Sequence, residues 1–230
     1  VMTRVELCVQ DLEGARIARE VGADRVELCV DISVGGLTPS FELVEAASRL
    51  GFPGGIAVLV RPRAGDFVHD SREIGVIEGT MRDYSERLGR ASRLAFVVGV
   101  LDERGLIHRD AIRSFREAAG DHDLVFHRAF DRLEDRYEGL EILRGLGVDR
   151  VLTTGGHESE ADPTELRRLI EAAGDDITIL ASGGLRSGNV ARIVSLSGAR
   201  EVHMRAPAGP DRTDPREAAA IMSALTPPDW

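Results

Sequence analysis

The chain has 230 residues, 43% of them hydrophobic, which suits one large core and is short for two domains. Its 29 basic and 39 acidic residues leave a formal charge of −10, so nucleic acid and anionic membrane surfaces are excluded as nonspecific partners. Every basic residue is Arg, and without a Lys there is no Schiff-base aldolase chemistry, no pyridoxal phosphate anchor and no P-loop.

Eight short β-branched runs follow one another along the chain: Val5 to Val9, Arg25 to Val30, Ile56 to Val60, Ala95 to Val100, Leu124 to Phe126, Arg150 to Thr153, Thr178 to Ala181 and Glu201 to Met204. Helical patterns separate them, among them Leu12 to Glu20, Phe41 to Leu50, Ala111 to Ala119, Tyr137 to Leu146, Thr164 to Ala173 and Val190 to Leu196. Thr38-Pro39-Ser40 and Asp162-Pro163 open helices, and Gly22, Gly120, Gly147, Gly174 and Gly198 close others. The hexamer Arg-Val-Glu-Leu-Cys-Val occurs at positions 4 to 9 and again at 25 to 30, and Gly-x-Asp-Arg-Val recurs at 22 to 26 and 147 to 151.

Eight βα units predict a single α/β domain over residues 1–230, a (β/α)8 TIM barrel, allowing irregular helices late in the barrel. A doubly wound open sheet is the alternative, but no Gly-x-Gly-x-x-Gly turn follows the first strand, and no nicotinamide cofactor is expected. Residues 207–230 are read as a last helix near Arg216 to Leu225 and a frayed end at Pro227-Pro228. No apolar run approaches the roughly 20 residues of a membrane span, no signal segment is evident, and two cysteines make no disulfide framework. A soluble, cytoplasmic protein is the expectation.

In such a barrel the chemistry sits at the C-terminal strand ends. There the sequence places Cys8, Glu27 and Cys29, then Arg61-Pro62-Arg63 with Asp66, then His127-Arg128 with Asp131, Thr153 before Gly155-Gly156, then Gly183-Gly184, and His203. Alternation puts Glu27 on the face of Cys29, Glu201 on that of His203, and Arg61 on that of Arg63 if the extended backbone continues. Arg61 and Arg63 suit a carboxylate or phosphate, or equally salt bridges to Asp66, Asp131 or Glu27. The Gly pairs let backbone N–H groups approach an anion, with Thr153 and Arg128 beside them, or are simply tight turns. His127 and His203 are candidate acid–base groups or satisfied core histidines. Glu27, in an apolar strand, needs a partner, for which Arg61, Arg63 or Arg128 is expected. His69, His108, His122 and His157 are read as surface residues. Cys8 and Cys29, on adjacent strands, suit Cu(I) or serve as small buried hydrophobes.

These residues, with Gly35-Gly36-Leu37-Thr38-Pro39-Ser40, Arg61-Pro62-Arg63, Asp66-Phe67, His127-Arg128-Ala129-Phe130-Asp131 and Glu201-Val202-His203 in order from first strand to last, resemble the CutC family, named for copper homeostasis. The resemblance implies a (β/α)8 barrel, a cytoplasmic location, a homo-oligomer and a role in copper handling, with Cys8 and Cys29 the thiols for the metal. The chain departs from the family's usual pattern at Ala64, Thr154, Ser182 and Met204-Arg205. The residues themselves also fit a barrel enzyme of lyase, isomerase or hydrolase type acting on a small phosphorylated or carboxylated metabolite. In that reading Arg61, Arg63 and the late Gly turns hold the anion while Glu27 and His127 move protons.

Overall fold

The computed structural model describes residues 2–89, 93–209 and 211–226. Eight parallel strands close into a barrel in chain order: β1 Arg4–Val9, β2 Arg25–Leu28, β3 Ile56–Leu59, β4 Leu94–Val98, β5 Asp123–Phe126, β6 Arg150–Thr153, β7 Thr178–Ala181 and β8 Glu201–Met204. The ring shuts where β1 pairs β8, with Val5 opposite Val202. The doubly wound alternative is thereby excluded. Eight helices follow the strands: α1 Leu12–Glu20, α2 Phe41–Ser48, α3 Ser71–Leu88, α4 Arg109–Ala119, α5 Arg136–Gly145, α6 Pro163–Ala173, α7 Val190–Ser197 and α8 Pro215–Leu225. The late helices are regular, and the irregular pieces are 3-10 turns after β2, Ile32–Val34, and after β5, Arg128–Arg132. Pro227 and Pro228 lie outside the described residues.

Helix starts follow their side chains. Asp11, Ser40, Asp135, Asp162 and Asp214 each accept a backbone N–H of the first turn, and Asp70 does so within a reciprocal capping box with Glu73. His108, half-buried, takes the same role at α4 through Nδ1, 3.2 Å from the Ala111 nitrogen. The recurring Gly-x-Asp-Arg-Val phrase has a structural meaning in both copies. Asp24 accepts the Val5 N–H at 2.8 Å and Asp149 accepts the Leu124 N–H at 2.7 Å, so each Asp satisfies the start of the preceding strand.

Strand alternation sorts the core into two shells. Outward residues such as Val5, Leu7, Val26, Leu28, Phe96 and Phe126 pack under the helices, while Cys8, Cys29, Ala57, Leu59, Ala95, Val97, Val125, Leu152 and Leu180 fill the barrel interior. Below that interior layer the barrel is charged. Arg25 donates through Nε to Glu6 and through Nη2 to Glu201 at 2.8 Å, and Arg150 donates to Glu201 at 3.0 Å and to Asp123 at 2.5 Å. The two Arg residues of the repeated phrase, from β2 and β6, thus meet on one carboxylate of β8.

Candidate functional site

Side chains from the C-terminal half of the barrel surround a cavity of about 450 Å³. It brings together Cys8, Glu27, Cys29, Arg61, His127, Arg128, Asp131, Gly156 and His203 from the set read in the sequence, over apolar Leu59, Val97 and Leu152. A larger groove of about 840 Å³ lies between residues 102–110 and 133–142 and contains none of them.

Cys8 and Cys29 come from equivalent positions of the repeated hexamer on neighbouring strands. Both are buried and reduced, and their Sγ atoms stand 3.5 Å apart. The thiol-to-thiol hydrogen bond, burial and the nearby Glu27 push the Cys8 thiol well above its ordinary value. The ligand atoms of Cys8, Glu27 and His203 lie within 4.8 Å of one another.

The partner of Glu27 is His203 together with Cys8, in place of the arginine expected from the sequence. Burial raises the Glu27 carboxyl, and the negative charge of Glu6 raises it further. His203 is fixed from behind, its Nδ1 2.6 Å from Glu6 Oε1, which leaves Nε2 as the ring nitrogen not committed to Glu6. Burial opposes its charge, but Glu27, Cys8 and Glu6 outweigh that and raise the imidazole well above its ordinary value. Glu6 behaves oppositely: burial alone would raise it, yet Arg25 and His203 hold it down at about 2. A chain of carboxylates and cations therefore runs from the cavity through Glu6 to the charged floor. Glu6 was not singled out in the sequence, although the repeated hexamer sets it in the place of Glu27 and carried that signal.

His127 is buried against Phe67, ring centroids 4.8 Å apart, and its Nδ1 accepts the Ala129 N–H at 3.1 Å. A Cβ at position 99 would overlap the imidazole, so Gly99 is what admits it. Burial, reinforced by the Arg61 charge, pushes His127 down to about 3, so the ring is neutral at physiological pH, with its proton on Nε2.

Arg61 and Arg63 part company because the chain bends after β3. Arg61 turns into the cavity wall, while Arg63 pairs with Glu73 at 2.5 Å and Asp66 at 3.0 Å beside a separate surface depression. His69 is buried there, Nδ1 3.2 Å from Glu73, correcting its reading as a surface residue; burial lowers its pKa. His157 is exposed, and His122 half-buried.

The Gly turns are already filled. After β6, Asp131 accepts the Thr153 hydroxyl, the Thr154 N–H at 3.2 Å and the Gly156 N–H at 3.2 Å, and pairs with Arg128 Nε at 3.1 Å, while Gly155 N–H goes to Thr153. The chain's own carboxylate thus sits where an anion was expected. After β7, Gly183 and Gly184 pack beneath the 159–161 segment, with the Ala161 N–H donating to the Gly183 carbonyl at 3.0 Å, and neither lines the cavity. We expect Asp131→Ala to leave these donors unanswered and cost about 1–3 kcal/mol in urea unfolding. Proteolysis within 155–161 should accelerate with it, and unchanged proteolysis would show that Asp131 does not hold this segment.

The sequence profile of the CutC family matches residues 3–208. A CutC family protein of Caulobacter vibrioides is 36% identical over 224 residues, covering 97% of this chain and 89% of its own. The human copper homeostasis protein cutC homolog is 38% identical over 204 residues, 88% of this chain and 72% of its own. The crystal structure of a CutC protein from Streptococcus agalactiae superposes with a TM-score of 0.81 at 28% identity, covering 88% of this chain and 98% of that one.

Proposed function

The chain belongs to the CutC family, and from that premise we propose that it binds Cu(I) as cargo between Cys8 and Cys29, in the service of copper homeostasis. The observation that carries this reading is the pair of buried thiols 3.5 Å apart on the cavity wall. Soft sulfur donors select Cu(I), and the apolar interior layer around them, Leu59, Val97 and Leu152 among its members, keeps water away from the ion. His203 stands beside Cys8 with Nε2 uncommitted to Glu6, and the Glu6 carboxylate behind it is the kind of outer partner that orients a metal-binding imidazole. A cytoplasmic, reducing setting fits, because it keeps both thiols available.

A thiol must lose its proton to hold the ion as thiolate, so binding releases acid and strengthens as pH rises. The test is a competition titration of Cu(I) against a chromophoric chelator under anaerobic, reducing conditions. We expect one ion per chain, a proton release measurable in weak buffer, and a loss of at least about 100-fold in affinity in the Cys8→Ser/Cys29→Ser variant. Equal affinity in the double variant would refute the assignment.

A further inference from the structure

Arg61 carries a charge that the fold does not answer. It is 5% exposed, yet among the described residues its guanidinium bonds only carbonyls: Nη1 donates to Val34 and Gly36 at 3.1 Å each, and Nη2 to Gly65 at 2.8 Å. Among the described residues its Nε has no hydrogen-bond partner. Asp66, the carboxylate that acts on it from a distance, is itself paired with Arg63. A cation taken out of water without a counter-charge is costly, and a site that retains one is built for an anion from outside.

The neighbours of Arg61 narrow the class of anion. Its guanidinium carbon lies 5.2 Å from the centroid of the Phe67 ring, and the same ring packs against His127, so cation, phenyl and imidazole line one stretch of cavity wall. With Nδ1 occupied by the Ala129 N–H, the neutral His127 ring offers an N–H donor at Nε2. Two donor groups match the two oxygens of a carboxylate. A phosphate asks for a nest of backbone N–H groups, and the turn able to supply one, after β6, is filled by Asp131. The remaining wall is apolar, from Leu59, Val97 and Leu152, and 450 Å³ is within the range of small-molecule sites.

We propose that the cavity binds a small monocarboxylate with an apolar body, its carboxylate held between Arg61 and the His127 ring N–H and its body against Leu59, Val97 and Leu152. This site shares the apolar wall with the copper reading but none of its ligand atoms, and a test on the metal-free chain lets it stand or fall separately.

The test is an NMR titration of the reduced, metal-free full chain with benzoate and 4-methylpentanoate, following the imidazole resonances. At least one of these acids should shift His127 saturably while His122, on the opposite end of the barrel, stays still. Benzamide, the neutral isostere of benzoate, and inorganic phosphate should leave His127 unmoved. Arg61→Gln, if its circular dichroism matches wild type, should weaken carboxylate binding at least about tenfold. If that variant does not fold, the carboxylate-against-amide comparison on wild type still decides. The proposal is overturned if neither acid shifts His127, if benzamide or phosphate binds as tightly, or if folded Arg61→Gln keeps its affinity.

Discussion

Replacing Arg25 by Met is expected to destabilise the protein by about 3–5 kcal/mol, the cost of breaking a buried ion pair from one side. Arg25 is 4% exposed and holds Glu6 and Glu201 together beneath the cavity. Without it Glu6 keeps His203 alone and Glu201 keeps Arg150 at 3.0 Å and the exposed Arg4 at 3.5 Å, so carboxylates remain buried with too little positive charge. Glu6→Gln should recover part of the loss when combined with Arg25→Met, because it removes the stranded charge. Urea midpoints of the two single variants and the double variant measure this, and a loss under about 1 kcal/mol for Arg25→Met would show that the network contributes nothing beyond packing. The same network has a pH signature. Glu6 is depressed to about 2, so its contribution is present above the ordinary carboxylate range and lost as pH falls toward 2. His203 is raised, so its contribution is complete below the ordinary histidine value and lost as pH rises through its elevated one.

Acid should destabilise the protein from about pH 6.5 downward, and His127 is the largest cause, with buried His69 acting in the same direction. Above about pH 6.5 the ring is neutral whether the chain is folded or not, and contributes nothing to the pH dependence. Between that value and about 3 the unfolded chain takes up a proton that the buried ring refuses, so each step down in pH favours unfolding. The full depth of the effect is on the order of 4–5 kcal/mol, at roughly 1.4 kcal/mol per pH unit. His127→Asn sets an amide oxygen near Nδ1 to accept the Ala129 N–H and removes the titration. Its stability from pH 7 to 4 should therefore be flatter than that of wild type, whatever its cost at pH 7. Parallel curves would mean that the folded ring accepts protons as freely as the unfolded one.

Much of the site was legible because it lies on strands. Glu27, Cys8 and His203 on strands, and Cys29 just past β2, occupy alternate positions whose apolar neighbours face the helices; the alternation groups them on one face, and the closed barrel turns that face inward. Arg61 lies two residues past Leu59, the last residue of β3, and so in phase with it. Legibility ended where the backbone left extended geometry: Arg63 belongs to the 63–70 segment, where Glu73 and Asp66 claim it, and His69 is buried by the same fold-back. The Gly pairs after β6 and β7 are correct as sharp turns, each Gly having positive φ, but the N–H groups of the first pair are spent on the chain itself and the second pair packs beneath the 159–161 segment, away from the cavity.

The chain by itself determined the order of eight βα units, the α/β barrel they form, which residues share a strand face and that no Lys stands in it. Those are consequences of local periodicity and composition, which neighbouring residues settle among themselves. Closure of the ring decided the rest. It set Arg25 and Arg150 on Glu201, 176 and 51 residues away, put Glu6 behind His203 across 197 residues, and laid Asp131 into the turn after β6. Buried charges and open N–H groups must find partners, and which partner each finds depends on which strand ends the closed barrel brings within reach.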